Sequence, residues 1–185
     1  MYWVEALRRD KEEVRERIIK AAMRVFSTMG YFQAPASLIA KEASVSKGLL
    51  FWYFRSKDEL ILEVAKRSLP IDILKKCLKD GREGADLLYC IGRGYLEKYQ
   101  DIIHRNLILH TLSIRTLYPQ VEENLRDMCE DYTRRVAVRA FGDDSPISRV
   151  KIRTFFGSLL CYTLRPPKNI PVDDYLDMLI KVLMK

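Results

Sequence analysis

The sequence lacks any long hydrophobic run. No stretch approaches the roughly 18 apolar residues that identify a membrane-spanning helix, and the first ten residues lack the apolar core of a secretory signal peptide. Hydrophobic residues nevertheless make up 48% of the 185 residues, which is enough to build a buried core. We therefore expect a soluble, cytoplasmic protein with no membrane partner.

Cysteine is scarce, and its four copies are widely spaced. Cys77, Cys90, Cys129 and Cys161 include no CxxC pair and no metal-ligand spacing. A cysteine of this kind is ordinarily a small buried side chain in a reducing compartment. We therefore expect four buried thiols and no metal site.

The chain also lacks the residue sets that mark an enzyme. It has no Ser/His/Asp order, no phosphate-binding glycine loop and no carboxylate cluster of a nuclease. His104 and His110 are six residues apart and do not share a helix face, so they make a poor metal pair. We expect no catalytic residue and no cofactor. An enzyme with its site in the C-terminal half stays open as an alternative.

Acidic residues are nearly absent from one region. Between Arg15 and Lys57 only Glu16 and Glu42 oppose eight basic residues, a net charge of +6 in a chain whose total is +7. The basic residues are Arg15, Arg17, Lys20, Arg24, Lys41, Lys47, Arg55 and Lys57. Concentrated positive charge of this kind is needed to bind the phosphate backbone of a nucleic acid.

Residues 39–54 have the pattern of two short helices joined by a tight turn. Ser46 can cap the second helix through its hydroxyl, and Leu50 and Phe54 lie four residues apart, so that both can pack inward. The other face carries an aromatic arc that consists of Phe51, Trp52 and Tyr53. A surface helix does not normally leave so much aromatic area uncovered. A helix-turn-helix whose second helix enters the DNA major groove accounts for this exposure.

The remaining sequence predicts helices throughout. Apolar residues recur at three- and four-residue intervals, and no segment has the alternation of a strand. Gly30 ends the first long helix, and Pro70 should break the fourth. The pattern predicts an all-α fold with long helices over about 120–141, 147–164 and 172–184.

The N-terminal third resembles the DNA-binding domain of TetR-type transcriptional repressors. The resemblance covers roughly residues 11–70. It is carried by Arg17-Ile18-Ile19, Ala22, Phe26, Gly30-Tyr31, Ile39-Ala40, Val45-Ser46-Lys47-Gly48, Tyr53-Phe54 and Ser56-Lys57. The sequence departs from the family pattern at Ser44, where the family usually has a turn glycine, and at Phe51, where it usually has tyrosine.

The resemblance implies an all-α fold of about nine helices in two domains. Residues 1–69 would form the N-terminal three-helix, helix-turn-helix DNA-binding domain, and residues 70–185 a C-terminal helical ligand-binding and dimerisation domain. It also implies a homodimer that binds a palindromic, double-stranded DNA operator. A small-molecule effector would release the operator, as expected of a ligand-responsive repressor.

Candidate DNA contacts follow from the arc and from the resemblance. Lys47 and Lys57 would bind phosphate, Gly48 would allow close approach of the backbone, and apolar side chains would contact thymine methyl groups. The full set is Ser37, Ser46, Lys47, Gly48, Leu49, Phe51, Trp52, Tyr53 and Lys57.

The C-terminal half provides two further sets. Polar residues in otherwise apolar helices are candidates for the effector pocket, namely Tyr89, Arg93, Tyr99, His110, Arg115 and Tyr132. Arginines facing a cavity would suit an acidic amphiphile such as a fatty acid or acyl-CoA, although surface pairing with glutamates explains them equally well. Candidates for the dimer interface are Phe155, Phe156, Leu159, Leu160, Tyr162, Leu176, Leu179 and Leu183.

A different class of function also fits the aromatic arc. A helical protein could use the region around Trp52 to bind another protein. Salt separates the two hypotheses, because DNA binding weakens steeply with added salt whereas an apolar protein contact does not.

Overall fold

A computed structural model describes the backbone of residues 2–114 and 118–185 and the side chains of residues 9–114 and 118–185. All regular elements in these ranges are helices, which confirms the all-α prediction. Ten helices are described where about nine were expected. They are α1 (Tyr2–Gln33), α2 (Ala36–Glu42), α3 (Lys47–Tyr53), α4 (Lys57–Ser68), α5 (Ile71–Lys79), α6 (Gly84–Lys98), α7 (Ile102–Leu112), α8 (Pro119–Phe141), α9 (Pro146–Leu164) and α10 (Val172–Leu183).

The chain forms two compact units. The first comprises residues 1–68 and 106–123, and the second comprises residues 69–105 and 124–185. The first boundary lies next to the expected one at residue 69, whereas residues 106–123 join the first unit instead of the second. The functional roles of the two domains stay predictions.

The first unit is built around α1. Ile18, Ala22 and Phe26 are fully buried on one stripe of this helix, as their spacing predicts. Gly30 interrupts the helical geometry with a φ of 74°, a conformation that glycine adopts without steric cost. Polar groups are also buried here: the hydroxyls of Tyr31 and Thr111 lie 2.8 Å apart, and burial raises the pKa of Tyr31 to about 12.

The second unit is organised around α6, which has glycines on two faces. A Cβ at Gly92 would lie 2.6 Å from Leu176 of α10, and a Cβ at Gly94 would lie 2.8 Å from Ile73 of α5. Both distances are shorter than carbon atoms tolerate, so these glycines let α10 and α5 pack directly on the α6 backbone.

Helix α5 is not predicted from the sequence, in which Pro70 marks the end of α4 and the start of the second domain. Pro70 is instead the N-cap of α5, which then buries Ile71, Leu74 and Cys77 at three-residue intervals. Proline fits the start of a helix because it has no N–H to leave unbonded.

The cysteine expectation was wrong. Cys77 on α5 and Cys90 on α6 form a disulfide with a Cα–Cα distance of 6.0 Å, and Cys129 and Cys161 are exposed. Cys77 and Cys90 are 13 positions apart in the sequence, and the residues between them include a complete helix-to-helix reversal. Sequence spacing alone does not reveal that this reversal brings the two sulfurs together.

Candidate nucleic-acid interface

The turn between α2 and α3 is closed by backbone hydrogen bonds. The N–H of Val45 donates to the carbonyl of Ala40, and the N–H of Ser44 donates to that of Lys41, each at 3.0 Å. This is the Schellman arrangement, in which the residue after the helix end has a left-handed conformation. Ser44 adopts it with a φ of 52°. The serine therefore occupies the conformation for which the family usually provides glycine.

Helix α3 begins as its capping residue predicts. The Ser46 hydroxyl accepts a hydrogen bond of 3.0 Å from the N–H of Leu49. The cap satisfies one of the four N–H groups that a helix start leaves without a partner. Ser46 thereby fixes where α3 starts and which of its side chains face outward.

The two faces of α3 differ as expected. Leu50 and Phe54 are buried in the first unit, with relative exposures of 0% and 1%, whereas Trp52 is 62% exposed. Leu49 is also exposed, and Phe51 and Tyr53 are half-buried. The aromatic arc is therefore a partly open surface, with Trp52 as its most exposed member.

A cation from α1 contacts the arc. The ammonium of Lys11 lies 5.5 Å from the centre of the Trp52 ring, a favourable cation–π distance. Tyr53 meets the same indole edge-to-face, with ring centres 4.8 Å apart. The sequence analysis missed Lys11, because the hydrophobic pattern of α1 does not show which of its charged residues reaches α3.

Part of the basic charge remains available around the arc. Lys41, Lys47 and Arg55 are exposed. None of the three forms an ion pair with a carboxylate in residues 9–114 and 118–185. The ammonium of Lys47 lies 6.0 Å from the Phe51 ring, so a cation lies beside the aromatic surface here as well.

Other basic residues stabilise the first unit. Arg17 donates to the carbonyl of Ala43 at 3.0 Å and so braces the end of α2. Arg24 pairs with Glu42 at 2.8 Å, and Arg15 with Glu63 at 3.1 Å. The net charge of the segment therefore overstates the number of cations that are available to phosphate.

Lys57 has a structural partner. Its ammonium donates to the carbonyl of Phe32 at 3.0 Å. Desolvation lowers the pKa of Lys57, an effect that the neighbouring Asp58 partly opposes. An ammonium has three N–H donors, so this bond leaves capacity for a phosphate, and the role of Lys57 in DNA binding stays a prediction.

Ser37 and Gly48 lie on accessible surface. Ser37 is exposed on α2. A Cβ at Gly48 would touch only the Ser46 hydroxyl, at an ordinary distance of 3.8 Å. The packing of the chain itself therefore does not require glycine at this position. That Gly48 lets the protein backbone approach DNA closely stays a prediction.

A family-level sequence match covers this candidate interface. Residues 18–64 match the family described as bacterial regulatory proteins, tetR family. This part of the chain is therefore similar to the TetR family. The matched region contains the buried face of α1, the turn at Ser44 and all of α3. It therefore confirms the resemblance that the sequence analysis based on these residues.

Curated relatives match over limited lengths. The HTH-type transcriptional regulator SrpR of Pseudomonas putida is 38% identical over 65 residues, which are 35% of this chain and 30% of SrpR. The fatty acid metabolism regulator protein of Bacillus subtilis is 23% identical over 121 residues, 63% of this chain and 60% of that protein. The chain thus spans about a third of the length of SrpR.

Solved structures extend the likeness to the whole fold. The crystal structure of AibR in complex with isovaleryl coenzyme A and operator DNA has a TM-score of 0.67 and 16% sequence identity. The alignment covers 92% of this chain and 98% of that chain. At this identity the likeness shows a shared fold and nothing further.

The candidate effector residues do not all lie together. Tyr89 and Arg93 are exposed on α6, and both bond to Asp173, whereas Tyr99 and Tyr132 are buried. His110 belongs to the first unit, where its ring lies 3.5 Å from a Cβ placed on Gly30. Arg115 lies outside the described residues. The roles of these side chains in effector binding stay predictions.

Tyr89 and Arg93 line an open groove of about 670 Å³ between α5 and α6. Lys76, Arg82 and Lys98 also line it, together with Asp72 and Glu97. Arg93 pairs with Glu97 at 2.9 Å and with Asp173 at 2.6 Å. An acidic ligand could therefore bind Arg93 in this groove if it displaced the carboxylate of Glu97 or Asp173.

The predicted dimer interface needs correction. Four of its members, Phe155, Leu159, Leu176 and Leu183, are buried within the chain itself. Phe156, Leu160, Tyr162 and Leu179 are half-buried. The hydrophobic pattern identified the apolar faces of α9 and α10, but much of that area covers α6 in the second unit. The residues of α9 and α10 that remain exposed or half-buried are the ones that could contribute to a dimer interface.

Proposed function

We propose that the protein is a dimeric TetR-type transcriptional regulator, most simply a repressor, that binds palindromic operator DNA through α3. The supporting observation is the aromatic arc, whose Trp52 is 62% exposed beside Lys11. An exposed indole beside a cation suits a groove lined by phosphates and base edges. The site of action is the cytoplasm, where such a regulator meets its DNA. No helix in the described ranges is long and apolar enough to span a bilayer.

A stripe of exposed residues along α9 supports a homodimer. Its members recur at alternating intervals of three and four, the spacing of a helix that packs against a second helix. We define the α9 stripe as Ile147, Val150, Thr154, Gly157, Cys161 and Leu164, all of them exposed. A Cβ at Gly157 would meet nothing within 4 Å. The glycine therefore leaves room for a second helix to approach closely at the middle of the stripe.

An acidic amphiphile, such as a fatty acid or acyl-CoA, is the proposed effector class. Arg93 and Lys76 in the α5–α6 groove could bind its carboxylate or phosphates. The relatives agree in chemistry, since AibR binds isovaleryl coenzyme A and the Bacillus subtilis relative is a fatty acid metabolism regulator. Native mass spectrometry should show a bound acyl compound. Failure of acyl-CoAs and fatty acids to bind or to shift the melting temperature would exclude this class.

Selection of genomic fragments by the purified protein tests DNA binding itself. We expect enriched fragments to contain an inverted repeat whose half-sites lie about one helical turn apart. Affinity for the repeat should fall steeply with added salt. Binding of a protein partner through Trp52 would instead give no enriched repeat and little salt dependence, which would favour the protein-interaction alternative.

A further inference from the structure

The α5–α6 hairpin is held by contacts at three successive levels. The Cys77–Cys90 disulfide lies nearest the connecting loop. One turn further, Ile73 packs against the bare backbone of Gly94. At the third level, Lys98 donates to the carbonyl of Leu69 at 2.9 Å and to the Asp72 carboxylate at 2.7 Å. The hairpin thus keeps two levels of contact when the disulfide is open.

The two cysteine residues differ in exposure. Cys77 is 1% exposed, whereas Cys90 is half-buried, and both border the open α5–α6 groove. A groove of about 670 Å³ can admit a small organic thiol. An incoming thiolate would therefore reach the sulfur of Cys90 and release Cys77 as the leaving group.

Disulfides are rare in compartments where thiols are kept reduced, and those that form there are usually transient. A DNA-binding regulator works in such a compartment, so this step rests on the proposed function. We propose that Cys77 and Cys90 form a reversible oxidation site, which a low-molecular-weight thiol opens through the α5–α6 groove and a low-molecular-weight disulfide closes.

The exchange balances without any further reactant. One thiolate attacks the Cys90 sulfur, breaking the protein disulfide and leaving a mixed disulfide on Cys90 and a thiolate on Cys77. A second thiolate attacks the small-molecule sulfur of that mixed disulfide and releases Cys90. The small thiol is thereby oxidised to its disulfide, and the protein gains two thiols. Closure is the same sequence in reverse.

Opening the bond should loosen one end of the hairpin. The C-terminal turn of α5 and the loop at Gly81 lose their covalent link to α6, while the levels at Ile73 and Lys98 remain. Hydrogen exchange should accelerate over residues 76–83 and stay slow around Ile73. The melting temperature should fall by roughly 5–10 °C, as expected for loss of a short covalent loop.

Thiol mapping in glutathione buffers tests the proposal without DNA. The full-length protein carrying Cys129→Ser and Cys161→Ser is equilibrated with reduced or oxidised glutathione, alkylated and analysed by mass spectrometry. We expect reduced glutathione to open the disulfide in the folded protein and oxidised glutathione to restore it. A bond that opens only in denaturant, or thiols that never oxidise, would overturn the proposal.

Single-cysteine variants test the route of attack. In the same background Cys77→Ser leaves Cys90 beside the groove and should gain the mass of one glutathione from oxidised glutathione. Cys90→Ser leaves only the buried Cys77 and should react at least tenfold more slowly. If Cys77→Ser and Cys90→Ser have the same melting temperature and react with oxidised glutathione at equal rates, attack through Cys90 is excluded. Because no DNA is present, failure of operator binding would leave these results unchanged.

Discussion

The indole of Trp52 is exposed although burying a large apolar side chain is worth about 1.5–3 kcal/mol. Lys11 and Tyr53 cover only part of it, so 62% of the side chain remains open. Leu50 and Phe54 already fill the inner face of the same helix. The exposure therefore follows from the register of α3, and under the proposed function DNA would supply the missing contacts.

Replacing Trp52 by alanine tests this residue alone. We expect Trp52→Ala to weaken operator binding roughly tenfold, about 1.4 kcal/mol, because the apolar contact with DNA is lost. The melting temperature should change little, since the side chain contributes little to the core. Fluorescence anisotropy and thermal melts measure the two effects, with Leu112→Ala on exposed α7 surface as the control. Unchanged affinity with an unchanged melt would argue against the contact.

Lys57 should show a mixed effect. Lys57→Ala would remove the proposed phosphate contact and should lower the salt dependence of operator binding by about one unit of slope. It also removes the bond to the Phe32 carbonyl, so a small fall in melting temperature should accompany it. Lys75→Ala, an exposed lysine of α5, serves as the matched control. A lower melting temperature with the full salt slope would assign Lys57 a structural role only.

At the scale of the helix, Ser46 determines how α3 starts. Ser46→Ala removes the acceptor for the Leu49 N–H and should destabilise the first unit by about 1 kcal/mol. The melting temperature should fall by roughly 2–4 °C. Ser37→Ala, an exposed serine on α2 with no capping bond, should leave the melt unchanged. Equal melts for the two variants would show that the cap is dispensable.

The sequence predicts elements best where periodicity and end signals agree. Helices α9 and α10 begin and end close to the expected residues, because Pro146, the prolines after Arg165 and Pro171 mark their ends. Helix α5 was not predicted because a proline such as Pro70 can either end one helix or begin the next. The Cys77–Cys90 bond depends on the hairpin register, and the Lys11–Trp52 contact on how α1 packs against α3. The local sequence around these residues does not predict either contact.

The α9 stripe provides the test of dimerisation. Gly157→Glu places a charge where a second helix would approach, and a Cβ added at this position meets nothing within 4 Å. We expect the variant to be monomeric in light scattering while the wild type is dimeric, because a charge buried at an interface is costly. Leu112→Glu, also at an exposed position but outside the stripe, should stay dimeric. A dimeric Gly157→Glu would place the interface elsewhere.

For the whole molecule, the proposed function requires one helix face of each copy to meet the same operator. The first unit provides the exposed arc and its cations, and the α9 stripe provides a surface that can join two copies. Two-fold symmetry then requires a palindromic site. The effector proposal concerns the second unit, where the α5–α6 groove contains both Arg93 and the disulfide.

Photo-crosslinking from position 52 tests the central claim most directly. A benzophenone amino acid is placed at position 52, or at position 112 as a control, and the protein is irradiated on the operator selected from genomic fragments. We predict a covalent DNA adduct from position 52, mapped to the major groove of each half-site, and none from position 112. Absence of a DNA adduct from position 52, with the operator still bound, would contradict the account.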